Sequence, residues 1–226
     1  MMSAKEHILH KIRKGLSVHE FDDLRTMSVD DRLRGHPRST TPSYAQGNRQ
    51  DIIRLFTKMA IQASATVETI KQQRSVPWAI ANFVRKHATA GAIRVGTDPF
   101  LADLPWRKEA TLDLKPGAAI EPDQVGLSVA AAAAAETGTA VLTSGPDNPT
   151  TINFLPENHI IIVPASRIVP TYEDAWDLLR SQNQDPLSSR AVVFITGPSR
   201  TADVEQKLLL GAHGPRRLHI ITVDGA

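Results

Sequence analysis

Apolar residues at Ala4, Ile8, Ile12 and Leu16 recur at helical spacing with Lys and His between them, which predicts an amphipathic helix at the start of the chain. Its stripe is too small to make a core. The helix is therefore expected to dock on the main domain or on a second copy of the chain, as in a homodimer. Residues 17–49 show little periodicity and contain Gly35, Pro37, Pro42 and Gly47 among Ser, Thr and Asn, so they read as an irregular arm. This sets a division into an N-terminal helix and arm, 1–49, and an α/β domain, 50–226.

In that domain, Ile52, Leu55, Phe56, Met59 and Ala63 mark an amphipathic helix. A short strand is expected at 65–68. Ser75 can cap a second helix, with Pro77 in its first turn and Ile80, Phe83 and Val84 inward. Residues 92–95 read as a strand, and Pro99, Pro105, Pro116 and Pro122 then break the pattern, leaving loops and a short strand at 111–114. Strands are expected at 139–143, 159–163, 191–196 and 218–223. Thr171 and Asp174 fit a capping box for a helix that buries Ala175, Trp176 and Leu179. Ser199 or Thr201 is expected to cap a further helix ending at Gly211. Alternating helices and strands predict a largely parallel sheet with right-handed crossovers. Ala130 to Ala135 is ambiguous, since six alanines favour a helix by propensity while the Glu136-Thr137-Gly138 that follows suits a tight turn between strands.

Composition narrows the chemistry. With no cysteine in 226 residues, the chain itself holds no disulfide, thiolate zinc site, cysteine nucleophile or cysteine-ligated iron–sulfur cluster. A net charge of +2, with basic residues scattered, argues against a nucleic-acid partner. The opening MMSAKEHILHKIRKGL lacks the apolar stretch of a signal peptide, and no run is long enough for a membrane span. A cytoplasmic protein is expected. Histidines and carboxylates show no metal-ligand spacing, and His7 and His10 read as a solvated helix face. No G-x-S-x-G elbow, Rossmann fingerprint or P-loop is present.

Three loops can carry a ligand. Glu136, Thr137 and Gly138 can present a carboxylate, a hydroxyl and backbone N–H groups at a sheet rim, or can be a solvated turn. Ser144 and Gly145, before Pro146-Asp147-Asn148, can cradle a phosphate or carboxylate, or can be an ordinary turn. Gly197, Ser199, Arg200 and Thr201 lie between a strand and the expected helix, where N–H groups, the helix end and the Arg200 fork would bind a small carboxylate or phosphate at the C-terminal edge of the sheet. Alternatively, the loop is a good helix N-cap with Arg200 paired to Glu136, Asp203 or a partner protein. His213 can act as an acid or base, or can cap the end of that helix. His159 reads as a satisfied core histidine. Trp106, beside Arg107 and Lys108, can stack on a flat ligand or pack on the surface.

The motifs AETGT at 135–139, TSGP at 143–146, LPENHIIIV at 155–163, RIVPTYEDA at 167–175, ITGPSRTADVE at 195–205 and LGAHGP at 210–215 occur in that order. In this series the chain resembles the lactate-utilisation protein C (LutC/YkgG) family and its LUD domain, over about 100 residues. The resemblance implies a strand for the alanine run and a NagB/RpiA/CoA-transferase-like α/β fold. It further implies a component of L-lactate to pyruvate oxidation that acts beside proteins A and B, which carry the iron–sulfur clusters, with no cofactor in this chain. An accessory, non-catalytic subunit is the reading it favours. The scaffold also admits a stand-alone acyl-, phosphoryl- or one-carbon-transfer enzyme like a folate cyclo-ligase, or a sensor of a small carboxylate.

Overall fold

The computed structural model describes residues 3–17, 23–87, 92–109, 111–121, 123–182, 189–202, 208–211 and 213–225. The chain divides into two compact units, Met1–Thr40 and Thr41–Ala226.

In the first unit, α1 (Ala4–Gly15) begins at a reciprocal capping box, in which the Glu6 N–H donates to Ser3 Oγ and the Ser3 N–H donates to the Glu6 carboxylate. Its Ile8, Ile12 and Leu16 are exposed. A second helix, α2 (Asp23–Gly35), runs through the segment that the sequence reads as irregular. Its Leu24, Met27 and Leu33 do not repeat as a continuous stripe and all are exposed, so periodicity gives no signal. Helix-compatible charged residues carry it instead, including an Asp30–Arg34 pair one turn apart at 4.0 Å.

The second unit runs α3 (Arg49–Gln62), β1 (Thr66–Ile70), α4 (Val76–Lys86), β2 (Ile93–Val95), α5 (Pro99–Ala102), β3 (Leu114–Pro116), β4 (Val125–Val129), β5 (Ala132–Ala134), β6 (Thr139–Thr143), β7 (Asn158–Pro164), β8 (Ile168–Val169), α6 (Tyr172–Gln182), β9 (Val192–Ile195), β10 (Arg200–Ala202), β11 (Leu208–Leu210) and β12 (Arg217–Val223). Six strands form a parallel sheet in the order β1-β12-β7-β4-β2-β3. The fold is α/β with a mostly parallel sheet flanked by helices, as the alternation predicts.

Side-chain alternation along the central strands sorts the core into two faces. Ile160, Ile162, Ile221 and Val223 pack under Ile80 and Phe83 of α4. Ile161, Val163 and Ile220 face the other way, against Ile52, Phe56 and Ala60 of α3 and against Ala133, Ala140 and Leu142 of a second sheet. Fully buried side chains such as Phe56 and Ile80 contribute about 1.5–3 kcal/mol each. The second sheet, β8-β5-β6-β9, pairs β6 antiparallel to both β5 and β9. Its far face receives Ala175 and Leu179 of α6. The alanine run is thus a strand. Alanine's small side chains let two layers close over it, and that packing overrides helix propensity. The capping box at α6 is present: Asp174 Oδ2 accepts from the Thr171 N–H and hydroxyl, and the Asp174 N–H donates to Thr171 Oγ1. Ser75 occupies the N-cap position of α4, but its side chain makes no capping bond.

One expected element is replaced. No helix starts at Ser199 or Thr201, because Arg200–Ala202 pairs antiparallel with Leu208–Leu210 as a hairpin. The expected strand–helix–strand–helix–strand unit is also broken, since β9 joins β6 in the second sheet rather than the parallel sheet. Val192–Ile195 and Leu208–Leu210 are short apolar pieces near Gly197 and Gly211, both at positive φ, and strand pairing decides their conformation more than propensity does. Asp203 and Glu205 lie outside the described residues.

Candidate ligand cleft

Two glycines seat two of the candidate loops on the end of α3. Gly138, at φ +68°, turns the chain between β5 and β6, and a Cβ there would lie 2.1 Å from the Ala60 nitrogen. Gly197, at φ +72°, ends β9, and a Cβ there would lie 2.0 Å from the Ala63 carbonyl oxygen. Only a residue without a Cβ allows both approaches. Arg200 follows at once, and its Nη2 donates to the Ala63 carbonyl at 3.3 Å and contacts the Ser64 hydroxyl. The guanidinium is therefore anchored to the α3 C-terminus and does not pair with Glu136.

Glu136 has a different role. It is buried, and its Oε1 accepts the Tyr172 N–H at 2.7 Å at the start of α6. Beside it, Thr139 Oγ1 lies within 2.6–2.9 Å of Thr137 Oγ1, Thr196 Oγ1 and the Tyr172 hydroxyl. The Glu136-Thr137-Gly138 turn thus ties α3, α6 and the end of β9 together.

A cleft of about 280 Å³ lies next to this junction, and it brings together Gly197, Ser199, Arg200 and His213 from the expected site. It opens at the N-terminal ends of β7 and β12, where His159 and Leu218 sit, and not at the C-terminal edge expected from α/β folds in general. The helix expected after Ser199 is a strand over Arg200–Ala202, so the helix dipole expected there is lost. The His213 helix-capping reading falls for the same reason. The Ser199 N–H is already used, donating to the Pro215 carbonyl at 2.9 Å. What remains for an anion among the described lining residues is the exposed Arg200 guanidinium, the His213 ring and the hydroxyls of Ser199 and Thr196. Among the described lining residues there is no aspartate or glutamate. Thr201 continues the backbone of β10.

A second cleft, also about 280 Å³, lies at the C-terminal end of β4 and contains Ser144 and Gly145 with Asp98, Asp147, Asn148 and Arg167. The proposed cradle is not available there. The Ser144 N–H donates to the Ala191 carbonyl, Ser144 Oγ accepts the Ala191 N–H, and the Gly145 N–H donates to the Asn148 carbonyl. Burial, reinforced by Asp147, raises the Asp98 carboxyl pKa against the opposing Phe100 N–H and Arg167. Two carboxylates make this the poorer anion site.

Ser128, on β4, joins the two clefts through the core. Its Oγ lies 2.9 Å from Asn148 Oδ1, 3.0 Å from Asn153 Oδ1 and 3.0 Å from His159 Nε2. Asn153 and His159 are buried and form the inner wall of the first cleft, yet Asn153 Nδ2 and His159 Nδ1 have no hydrogen-bond partner. His159 is therefore only half satisfied as a core residue. Asn153 went unremarked in the sequence. Its signal is slight, a polar residue between the apolar Ile152 and Phe154, and its burial beside the exposed Phe154 and Leu155 shows only in the fold. Trp106 packs against the core and donates to the Leu101 carbonyl, so it is a surface-packing residue.

Burial pushes the His159 imidazole down to about 3. Burial, with His87 and Lys86 nearby, pushes His219 down to about 4. Both rings are neutral in the folded chain at pH 7. Below the ordinary histidine value of 6.5 the unfolded chain takes up protons that the folded chain refuses. Stability is therefore full above pH 6.5 and falls as pH drops toward 4 and then 3. The urea midpoint should decrease steadily from pH 7 to pH 4, and His219→Gln should flatten that slope. An unchanged slope in the variant would assign the acid sensitivity elsewhere.

Together these features define an α/β domain with a cleft of cationic rim and polar floor. Residues 117–223 match the family model of the LUD domain. The resemblance to lactate-utilisation protein C drawn from the motifs is upheld by its relatives. The Lactate utilization protein C of an Exiguobacterium species is 41% identical over 100 residues, 44% of this chain and 44% of that protein. That of Bacillus subtilis is 38% identical over 105 residues, 46% of this chain and 44% of that protein. The aligned part is thus less than half the length of these relatives. A solved DUF162 family protein from Deinococcus radiodurans shares the fold, with a TM-score of 0.62 at 21% identity over 79% of this chain and 99% of that one.

Proposed function

We propose that this chain is a component of an L-lactate utilisation system and that the first cleft binds a small carboxylate. One observation carries the reading. Every described residue lining that cleft falls within 117–223, the segment matched by the LUD model, and relatives that match this chain over 100 and 105 residues are called lactate utilization proteins. The rim charge supports it, since Arg200 meets no acidic side chain among the described lining residues. In this reading the chain works in the cytoplasm beside iron–sulfur proteins A and B and holds no cluster itself. The lack of cysteine is consistent with that division of labour. Among the described residues, no helix is long and apolar enough to cross a membrane.

Complementation tests the role. In a bacterium deleted for its own lactate utilization protein C, the intact chain restores growth on L-lactate, and Arg200→Ala restores it poorly. The same variant weakens carboxylate binding to the purified chain roughly tenfold, the effect of losing one charge-assisted contact. Soluble, folded protein that leaves growth unrestored contradicts the proposed role. Equal binding by wild type and variant contradicts the rim assignment.

A further inference from the structure

Ser128 fixes the protonation pattern of the cleft floor. The Asn148 amide is oriented by its Nδ2, which donates to the Thr143 carbonyl at 3.2 Å, so its Oδ1 faces Ser128. A hydroxyl carries one hydrogen. Both neighbouring amide oxygens, Asn148 Oδ1 at 2.9 Å and Asn153 Oδ1 at 3.0 Å, share that hydrogen in a three-centre bond. His159 Nε2 must then donate to Ser128 Oγ, which leaves Nδ1 as a bare acceptor. The floor thus offers one donor, Asn153 Nδ2, and one acceptor, His159 Nδ1, each buried and without a partner. Neither carries charge, so the floor is not where a carboxylate belongs. It suits a neutral group that accepts one hydrogen bond and donates another, as a hydroxyl does.

Resting on the carboxylate reading of the first cleft, we propose that Asn153 and His159 are specificity-determining residues that select a small hydroxycarboxylate, with the carboxylate at Arg200 and the hydroxyl on the floor. A hydroxyl accepts from Asn153 Nδ2 and donates to His159 Nδ1. The oxo group of the corresponding oxo acid can accept from Asn153 but sets an oxygen lone pair against the bare Nδ1. A carboxylate with neither group leaves both atoms unpaired. Leaving a buried group unpaired costs binding by about 10- to 100-fold.

Calorimetric titration of the full chain with L-lactate, pyruvate and propionate, for wild type, Asn153→Leu and Arg200→Ala, tests this. Wild type is expected to bind L-lactate about 10- to 100-fold more tightly than the other two. N153L should bring L-lactate down to the level of propionate without changing propionate, and R200A should weaken all three together. In 15N-histidine-labelled protein, the Nδ1 resonance of His159 should move with L-lactate and not with propionate. That readout needs no variant, so it decides the matter if N153L does not fold. Three ligands bound alike and weakened alike by R200A would overturn the selection by Asn153 and His159 while sparing the carboxylate reading. Absence of binding by all three would overturn both. L-lactate preference retained in a folded N153L, or a His159 signal that stays still, would show a water-filled structural network only.

Discussion

Gly138→Ala is expected to destabilise the fold by about 3 kcal/mol or more, combining a left-handed backbone cost of about 1–2 kcal/mol with overpacking of about 1–3 kcal/mol. The glycine sits at φ +68°, and the added methyl carbon would lie 2.1 Å from the Ala60 nitrogen and 2.6 Å from the Met59 carbonyl carbon. These are backbone atoms of α3, so no flexible side chain can move aside. Either α3 shifts or the turn opens. The damage should reach the cleft, because the same helix end carries the carbonyl of Ala63, against which Gly197 packs and to which Arg200 bonds. Gly145→Ala is the internal control. Gly145 has open space around its Cβ position and no positive φ, so its substitution should stay within about 0.5 kcal/mol of wild type. Urea unfolding of both variants measures the difference. A loss below about 1 kcal/mol in G138A would mean that α3 yields easily and that the close approach is not a constraint.

Ser128→Ala should be comparably severe despite removing one oxygen atom. Ser128 is 3% exposed on a central strand, and Asn148, Asn153 and His159, all buried, lie within 3.0 Å of its hydroxyl. The alanine fits the space but leaves three polar groups with one fewer partner. At about 1–3 kcal/mol for each unsatisfied group, and with incomplete additivity, a total near 3–5 kcal/mol is expected. The urea midpoint should fall with an unchanged slope, as befits a loss of stability without a change of fold. Any variant that remains folded should also lose preference for L-lactate over propionate, because the His159 tautomer is no longer fixed. A nearly neutral substitution would show that the three side chains find other partners and that Ser128 is not the hub.

The parallel sheet was legible because its central strands β4, β7 and β12 are buried on both sides. Asn158–Pro164 and Leu218–Val223 are apolar runs that polar loops bracket, and such runs have few other destinations. The turn at Glu136-Thr137-Gly138 and the capping box at Thr171 are local, and local chemistry is what a sequence displays. Pairing partners are not local. Nothing near Val192–Ile195 announces that it lies antiparallel to β6 across 50 residues, and nothing near Leu208–Leu210 separates a hairpin arm from a helical turn. The candidate site was read unevenly for the same reason. Arg200 and Gly197 stand out as a loop motif, whereas Asn153 and His159 acquire meaning only when Ser128, 25 and 31 residues away, is seen between them. The expected edge of the sheet was wrong because it depended on a helix after Ser199, and the first cleft opens at the other end of the strands.

The most direct test is a crystal structure of the full chain with L-lactate. Ligand density is expected in the first cleft, with the carboxylate on the Arg200 guanidinium and the hydroxyl at about 3 Å from both Asn153 Nδ2 and His159 Nδ1. L-lactate bound in the second cleft beside Asp98 and Arg167, or bound with its carboxylate on the neutral floor, would contradict it.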